Sequence, residues 1–273
     1  MNKTVNKALC VSLACCGLFM GNAAAVIPEQ NYKNAEYSYT KRAEDYSDDY
    51  VQEAYNTMGK FDIDPDYKQP NIVFIMIDDT GARDLGCYGS DFNETPNIDR
   101  IAAENLQFQQ YYSQPVCSPA RSCLMTGENV LRTGITNYLP ADNSVHLDPD
   151  EFVAMPSVLN NAGYRTGIIG KWHMCAGYNA YPTDGAPVYH GFDDVIMSEQ
   201  KYIANGDYFA PYFFLPQVTG VEEGKYLVDL MNETAVSYIE EKAEEDQPFF
   251  LYLSHYATHT ILDAPQDTLD YFN

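Results

Sequence analysis

Ile72-Val73-Phe74-Ile75-Met76-Ile77 is an uninterrupted apolar run rich in β-branched residues, the pattern of a strand covered on both faces, and it stops abruptly at Asp78-Asp79. Phe249 to Leu253 repeats that pattern, and Arg165 to Ile169 reads as another buried strand. Each again runs into polar residues, Ser254-His255-Tyr256-Ala257-Thr258-His259-Thr260 after the first and Gly170-Lys171-Trp172-His173 after the second. Between these runs the periodicity becomes helical. Thr95 is a capping residue, Pro96 suits the first helical position, and Ile98, Ile101 and Ala102 share a face, which predicts a surface helix to about Asn105. Leu106 to Tyr112 then predicts a short strand, and the β-helix-β order predicts a parallel pair with a right-handed crossover. Met155 to Ala162 predicts a short helix closed by Gly163. Tyr226 to Glu245 predicts an amphipathic helix, with Leu227, Leu230, Met231, Thr234, Tyr238 and Ile239 inward and an acidic tail in water. Strands alternating with helices give the expected fold class: α/β, a mostly parallel central sheet with helices on both faces.

The ends of the chain do not follow this pattern. Lys3 and Lys7, the apolar run from Ala8 to Met20 and Ala23-Ala24-Ala25 read as a removable export signal over residues 1–25. The run is short for a bilayer, so no membrane span is expected, and the protein is read as exported, periplasmic or secreted. A lipoprotein signal using Cys15 or Cys16 is the rival, though the residues before them fit it poorly. Residues 26–69 form an acidic, tyrosine-rich leader with few aliphatic residues to bury, and a helix from Ala43 to Met58 is its one structural option. The catalytic domain is read as residues 70–273.

Charge narrows the partners. Removing the signal takes two lysines and no acid from a formal net charge of −23, leaving −25. Such a field repels nucleic acid and anionic membranes, so an anionic substrate needs a local cluster of cations or a metal. Cys87, Cys123 and Cys175 offer no spacing that resembles a zinc site, and no particular disulfide is predicted among them.

The chemistry centres on Cys117-Ser118-Pro119-Ala120-Arg121. Ser118 can cap a helix, Pro119 suits its first turn and Gly127 can end it. A cysteine at a helix start sits among unpaired N–H groups that favour a thiolate or a nearby anion, and Arg121, four residues on, shares its face. Asp78-Asp79, just beyond the carboxyl end of a strand, suits a hard divalent cation, although a bare pair such as Asp193-Asp194 also suits a polar turn. In an extended segment Lys171 and His173 share a side, and they offer a compact cation and a proton-transfer group. Tyr208, Phe209, Tyr212, Phe213 and Phe214, in the loop-like stretch from Tyr178 to Gln217, suit either a sugar or aryl site or packing, and packing is preferred. His255 and His259, four apart, are not a helical zinc pair, because no glutamate follows the first and the segment leaves a strand.

Cys117-Ser118-Pro119-Ala120-Arg121, preceded by Tyr111-Tyr112-Ser113-Gln114-Pro115-Val116 and followed by Leu124-Met125-Thr126-Gly127, resembles the signature of the formylglycine-dependent sulfatases, an arylsulfatase-like group of the alkaline phosphatase superfamily. Pro70 to Gly81 with Asp84 to Gly89, Arg132-Thr133-Gly134-Ile135, Gly170-Lys171-Trp172-His173 and the segment through His259 resemble further motifs of the family. Met174-Cys175 stands where members often have Leu-Gly, and Ile261 where they usually have proline. The resemblance implies that Cys117 is oxidised to formylglycine by a maturation enzyme. It implies that Asp78, Asp79 and the modified Cys117 hold Ca2+, with Mg2+ as the alternative, and that Lys171 and His259 contact the sulfate while His173 contacts the hydrated aldehyde. A hydroxyl of that hydrate would attack the sulfur of a sulfate ester, Arg121 and Lys171 would stabilise the added charge, and His259 would protonate the departing alcohol. The implied substrate is a sulfate ester, of a glycan in an exported enzyme. A phosphodiesterase or phosphonate esterase of the same superfamily is the rival activity, for which serine or threonine in place of Cys117 would argue.

The resemblance runs from Pro70 to about Asp267 and covers only the first part of such an enzyme. Complete members continue to an Asp-Asn pair and a further lysine. No Asp-Asn-Gly follows His259 here, and Asp142-Asn143 lies elsewhere. The expectation is therefore a C-terminally incomplete sheet with an open edge and too few oxygens for calcium, with a catalytically incompetent fragment as the alternative to an active hydrolase.

Overall fold

The computed structural model describes the backbone of residues 9–14, and residues 68–140, 145–175, 185–200 and 207–272. Its strands are β1 (Leu9–Ala14), β2 (Asn71–Met76), β3 (Arg165–Gly170), β4 (Asp194–Ile196) and β5 (Phe249–Ser254), all parallel, in the order β1-β2-β5-β3-β4. The helices are α1 (Pro96–Glu104), α2 (Cys117–Thr126), α3 (Val130–Thr133), α4 (Met155–Asn161), α5 (Leu227–Ala243) and α6 (Gln266–Phe272). The fold class is the expected α/β, and because the strands are parallel, their carboxyl ends open on one rim.

Pleating sends alternate side chains to opposite faces. Val73, Ile75, Phe249, Leu251, Leu253 and Ile169 build one core with Leu227, Leu230, Met231, Ala235 and Tyr238 of α5. Phe250, Tyr252 and Ile168 build the other, with Met125 of α2, Trp172 and Phe192. Every residue of β5 is buried, whereas β2 is buried on one face and half-buried on the other, so the expectation of full cover holds for β5 and not for β2. Each Leu or Phe withdrawn from water contributes about 1.5–3 kcal/mol, which makes β5 the strand that anchors the rim.

Two expectations fail. Leu106 to Tyr112 is not a strand: Leu106, Phe108, Tyr111 and Tyr112 are exposed, and β2 already has β1 and β5 as neighbours, which leaves no edge to pair with. The crossover pair through α1 is therefore not formed, and the segment is instead tied down by Tyr88 Oη donating to Phe108 O at 2.6 Å and Gln107 Nε2 to Cys87 O at 2.9 Å. The stretch from Tyr178 to Gln217, read as loop, contains β4. This strand is three residues long and begins with an acid, so it has almost no periodicity to detect.

The leader, including Ala43 to Met58, and residues 1–8 and 15–25 of the region read as an export signal lie outside the described residues. Leu9–Ala14, inside that apolar run, is β1, so the edge of β2 away from β5 is paired rather than open. Cys117 and Cys123 are free thiols.

Candidate active site

The rim collects chemically loaded segments from the exits of β2, β3 and β5 and from the start of α2. Beyond β2, Asp78 is buried, with its N–H bonded to Ala257 O at 2.9 Å and its carbonyl accepting from Thr258 N at 2.8 Å, so the exits of β2 and β5 are knitted together. Its carboxylate accepts from Arg121 Nη2 at 3.2 Å through Oδ1 and forms an ion pair with Lys171 Nζ through Oδ2. Burial by itself would raise the pKa of this carboxyl, but the two cations outweigh it and hold it at about 2, against an ordinary 3.8. Asp78 is thus ionised across the physiological range.

Helix α2 presents the second segment. It begins at Cys117 and ends at Gly127, whose φ of 69° is the left-handed conformation expected of a glycine cap. Ser118 does not cap it: the capping position is Val116, and the Ser118 hydroxyl accepts from Leu139 N at 3.1 Å inside the first turn. Cys117 also departs from the expectation of a stabilised thiolate. Burial raises its pKa, and Lys171 opposes that only in part, so the sulfur stays a thiol. Arg121 does share the site with it. Fully buried, it donates through Nη1 to Lys171 O at 3.0 Å, Tyr252 Oη at 3.2 Å and Ser254 Oγ at 2.6 Å. Its Nε–H has no acceptor among the described atoms.

The third segment leaves β3. Gly170 has φ +103°, and a Cβ there would lie 2.1 Å from Ser254 O, so only glycine lets the chain turn so close to β5. Lys171 N–H donates to that same carbonyl at 2.8 Å. The segment is not extended as expected, because His173 has φ 52°, yet the turn keeps both side chains at the site. Burial, with Lys171 next in effect, lowers the His173 pKa to about 3, so the ring is neutral. Its Nε2 faces Leu139 O at 3.0 Å, and a carbonyl can only accept, so Nε2 carries the proton and Nδ1 is the basic nitrogen. Glu199, just beyond β4, takes the Trp172 N–H at 2.9 Å and the His173 N–H at 2.5 Å.

Beyond β5 comes His259, half-buried, with Nδ1 2.5 Å from Thr260 O, an arrangement that puts the proton on Nδ1. Asp78, Cys117 and His259 each offer one ligand atom, and the three atoms lie within 4.8 Å of one another. Asp79 is not in that group. It is exposed, with φ 52°, and close enough to contribute to the raised pKa of Cys117. His255 lies apart, buried with both ring nitrogens lacking a hydrogen-bond partner among the described residues.

Other candidates sort away from the rim, except Tyr208, whose hydroxyl lies 2.8 Å from Tyr256 O and 3.1 Å from His259 O. Asp194 pairs with Arg165 at 2.5 Å and Asp193 accepts from Thr166, both at the start of β3 and β4. Tyr208, Tyr212 and Phe214 are buried in the core, and Phe209 packs on Tyr226. Sequence reasoning missed Glu199, Ser254 and Tyr252. A lone glutamate in an irregular stretch gives no signal, and Ser254 and Tyr252 read only as parts of a strand and its exit.

The chain's similarity to known proteins agrees with this geometry. Residues 70–273 match the sulfatase family model. Mouse arylsulfatase J is 32% identical over 210 residues, covering 72% of this chain and 34% of that protein. The N-acetylglucosamine-6-O-sulfatase of Bacteroides thetaiotaomicron is 34% identical over 194 residues, covering 70% of this chain and 31% of that protein. The solved structure of Ps i-CgsB in complex with k-i-k-neocarrahexaose superposes with a TM-score of 0.63 at 30% identity, covering 75% of this chain and 48% of that one. The chain thus spans about a third of the length of these two curated relatives. With its parallel α/β sheet and the motif residues gathered at one rim, this chain belongs to the sulfatase family.

Proposed function

We propose that this protein is a sulfuric ester hydrolase, acting on sulfated glycans, that uses a formylglycine made from Cys117 together with a divalent metal. The observation that carries the reading is the meeting of Asp78, Cys117 and His259 within 4.8 Å, beside two buried cations. A sulfate ester, a tetrahedral monoanion, entering an acidic protein needs such a local positive patch, and Arg121 and Lys171 supply it.

The residues present fit both absent groups. Among the described atoms the Arg121 Nε–H lacks an acceptor, and Arg121 interacts electrostatically with residue 117, where an oxygen is a better acceptor than sulfur. The ionised Asp78, with Asp79 next to it, offers hard oxygen donors suited to Ca2+ or Mg2+, and these two with the modified residue 117 would hold the ion. An aldehyde hydrate at position 117 supplies the nucleophilic hydroxyl, and a divalent ion supplies Lewis-acid stabilisation of developing negative charge. Lys171 and Arg121 bind and orient the sulfate. His173, neutral with its basic Nδ1, takes a proton when sulfate is released, and His259 exchanges a proton with the leaving oxygen through Nε2.

Export to the periplasm or the exterior and maturation by a formylglycine-generating enzyme belong to the same proposal. Among the described residues no helix is long and apolar enough to cross a membrane. The test is mass spectrometry of the purified protein for an aldehyde at residue 117, alongside hydrolysis of a chromogenic aryl sulfate with and without chelator. Aldehyde with chelator-sensitive turnover supports the proposal. An unmodified thiol, or faster cleavage of the corresponding phosphate diester, overturns it.

A further inference from the structure

Glu199 is a buried carboxylate that no motif marks, and it is fully occupied. Oε2 accepts from Trp172 N–H at 2.9 Å and Tyr256 Oη at 3.0 Å, and Oε1 accepts from His173 N–H at 2.5 Å. It leaves β4 just after Met197, whose carbonyl accepts a second bond from Tyr256 Oη at 2.8 Å, and Ser198 Oγ ties the same segment to Gly170 O at 2.8 Å. The carboxylate therefore clamps the backbone turn that follows β3 from the neighbouring strand.

His173, the residue it grips most closely, has φ 52°, a conformation that a side chain with a Cβ keeps only when its surroundings hold it there. Lys171 is held by other means: its N–H bonds to Ser254 O, its carbonyl accepts from Arg121, and its ammonium pairs with Asp78. Trp172 has its own anchor in the bond from Nε1 to Gly185 O at 2.8 Å. Loosening the clamp should thus free the backbone of His173, whose ring keeps its bond to Leu139 O at 3.0 Å, while leaving the sulfate-binding cations in place.

We propose that Glu199 is a positioning residue for His173, governing turnover and not anion binding. The proposal rests on the sulfatase reading of the site. Glutamine at position 199 keeps the shape but puts an NH2 donor where one of the two accepting oxygens was, so one of the two backbone N–H groups then faces a donor and loses its bond. In the full chain, matured and supplied with metal, Glu199→Gln should lower kcat on an aryl sulfate about 10–100-fold, the loss seen when the partner that orients a working histidine is removed. KM, and the affinity for inorganic sulfate measured by titration calorimetry, should stay within about twofold of the parent. Combined with His173→Ala, the substitution should cause no further loss, because both act through one group.

Trp172 is the single tryptophan, so labelling that amino acid isolates one backbone and one indole N–H by NMR. Its backbone amide should exchange about tenfold faster in Glu199→Gln while the indole is unchanged. Should Glu199→Gln not fold, Glu199→Asp, which keeps the charge and shortens the reach, is read by the same measurements. Equal changes in kcat and KM, additivity with His173→Ala, or an unchanged Trp172 amide overturns the proposal. If the parent cleaves no sulfate ester at all, the sulfatase reading fails separately. Amide exchange and sulfate affinity then decide the role of Glu199: faster exchange with retained affinity upholds it, and any other pairing overturns it.

Discussion

Removing the carboxylate of Asp78 should destabilise the fold far more than a surface substitution would, because Asp78→Asn leaves Arg121 and Lys171 as two buried cations facing a neutral amide. Breaking a buried ion pair from one side costs about 3–5 kcal/mol. In a domain of about 200 residues each kcal/mol lowers Tm by about 2–4 °C, so a fall of about 6–20 °C is expected. The acid dependence gives an independent figure. The folded pKa of about 2 lies below the ordinary 3.8, so the contribution is fully present above pH 3.8 and is lost as pH falls through about 2. At about 1.4 kcal/mol per pKa unit, that component is about 2.5 kcal/mol. The assay is urea and thermal unfolding in chelator, so that no divalent ion contributes, for the parent, Asp78→Asn, Lys171→Met and the double variant. The double variant should be more stable than the sum of the single effects predicts by about 1–3 kcal/mol, since Lys171→Met removes one of the orphaned charges. An Asp78→Asn protein within about 1 kcal/mol of the parent, with no coupling to Lys171→Met, would refute this account of the rim.

His255, buried with neither ring nitrogen partnered among the described residues, has its pKa lowered by burial from 6.5 to about 4, so it must be neutral in the fold. The unfolded chain binds a proton more readily between those values, so stability falls as pH drops below 6.5 and the loss is complete below about 4, with a ceiling of about 3 kcal/mol. His255→Leu should remove that slope, and unfolding curves at pH 7 and 4.5 that stay parallel to those of the parent would contradict it. Gly170→Ala should lower stability by about 2–5 kcal/mol, from a strained φ and a Cβ driven against a carbonyl. The clash is with Ser254 O at 2.1 Å, and a soluble variant of unchanged Tm would show that β3 and β5 can part here.

The amino-acid sequence determined the parts of this protein that are local. Continuous apolar runs specify β2 and β5 because a strand buried in a sheet needs nothing else, and polar residues beyond the ends of β2, β3 and β5, Asp78, Lys171 and His259, are the candidates that the sequence offers at the rim. Cys117 and Arg121 are legible for the same reason, four residues apart at a helix start. What only the tertiary structure decided is which groups meet. The strand order puts β5 between β2 and β3, which brings Ser254 to Arg121 and the Ser254 carbonyl to Lys171, and no spacing in the chain encodes that. Leu106 to Tyr112 has the pattern of a strand and forms none, because pairing requires a free edge. Glu199 has no pattern at all and becomes central, because β4 delivers it to the turn after β3. Periodicity and motif chemistry act over a few residues, whereas edges, burial and hydrogen-bond partners depend on segments far apart in sequence, so the elements could be read along the chain and their meeting could not.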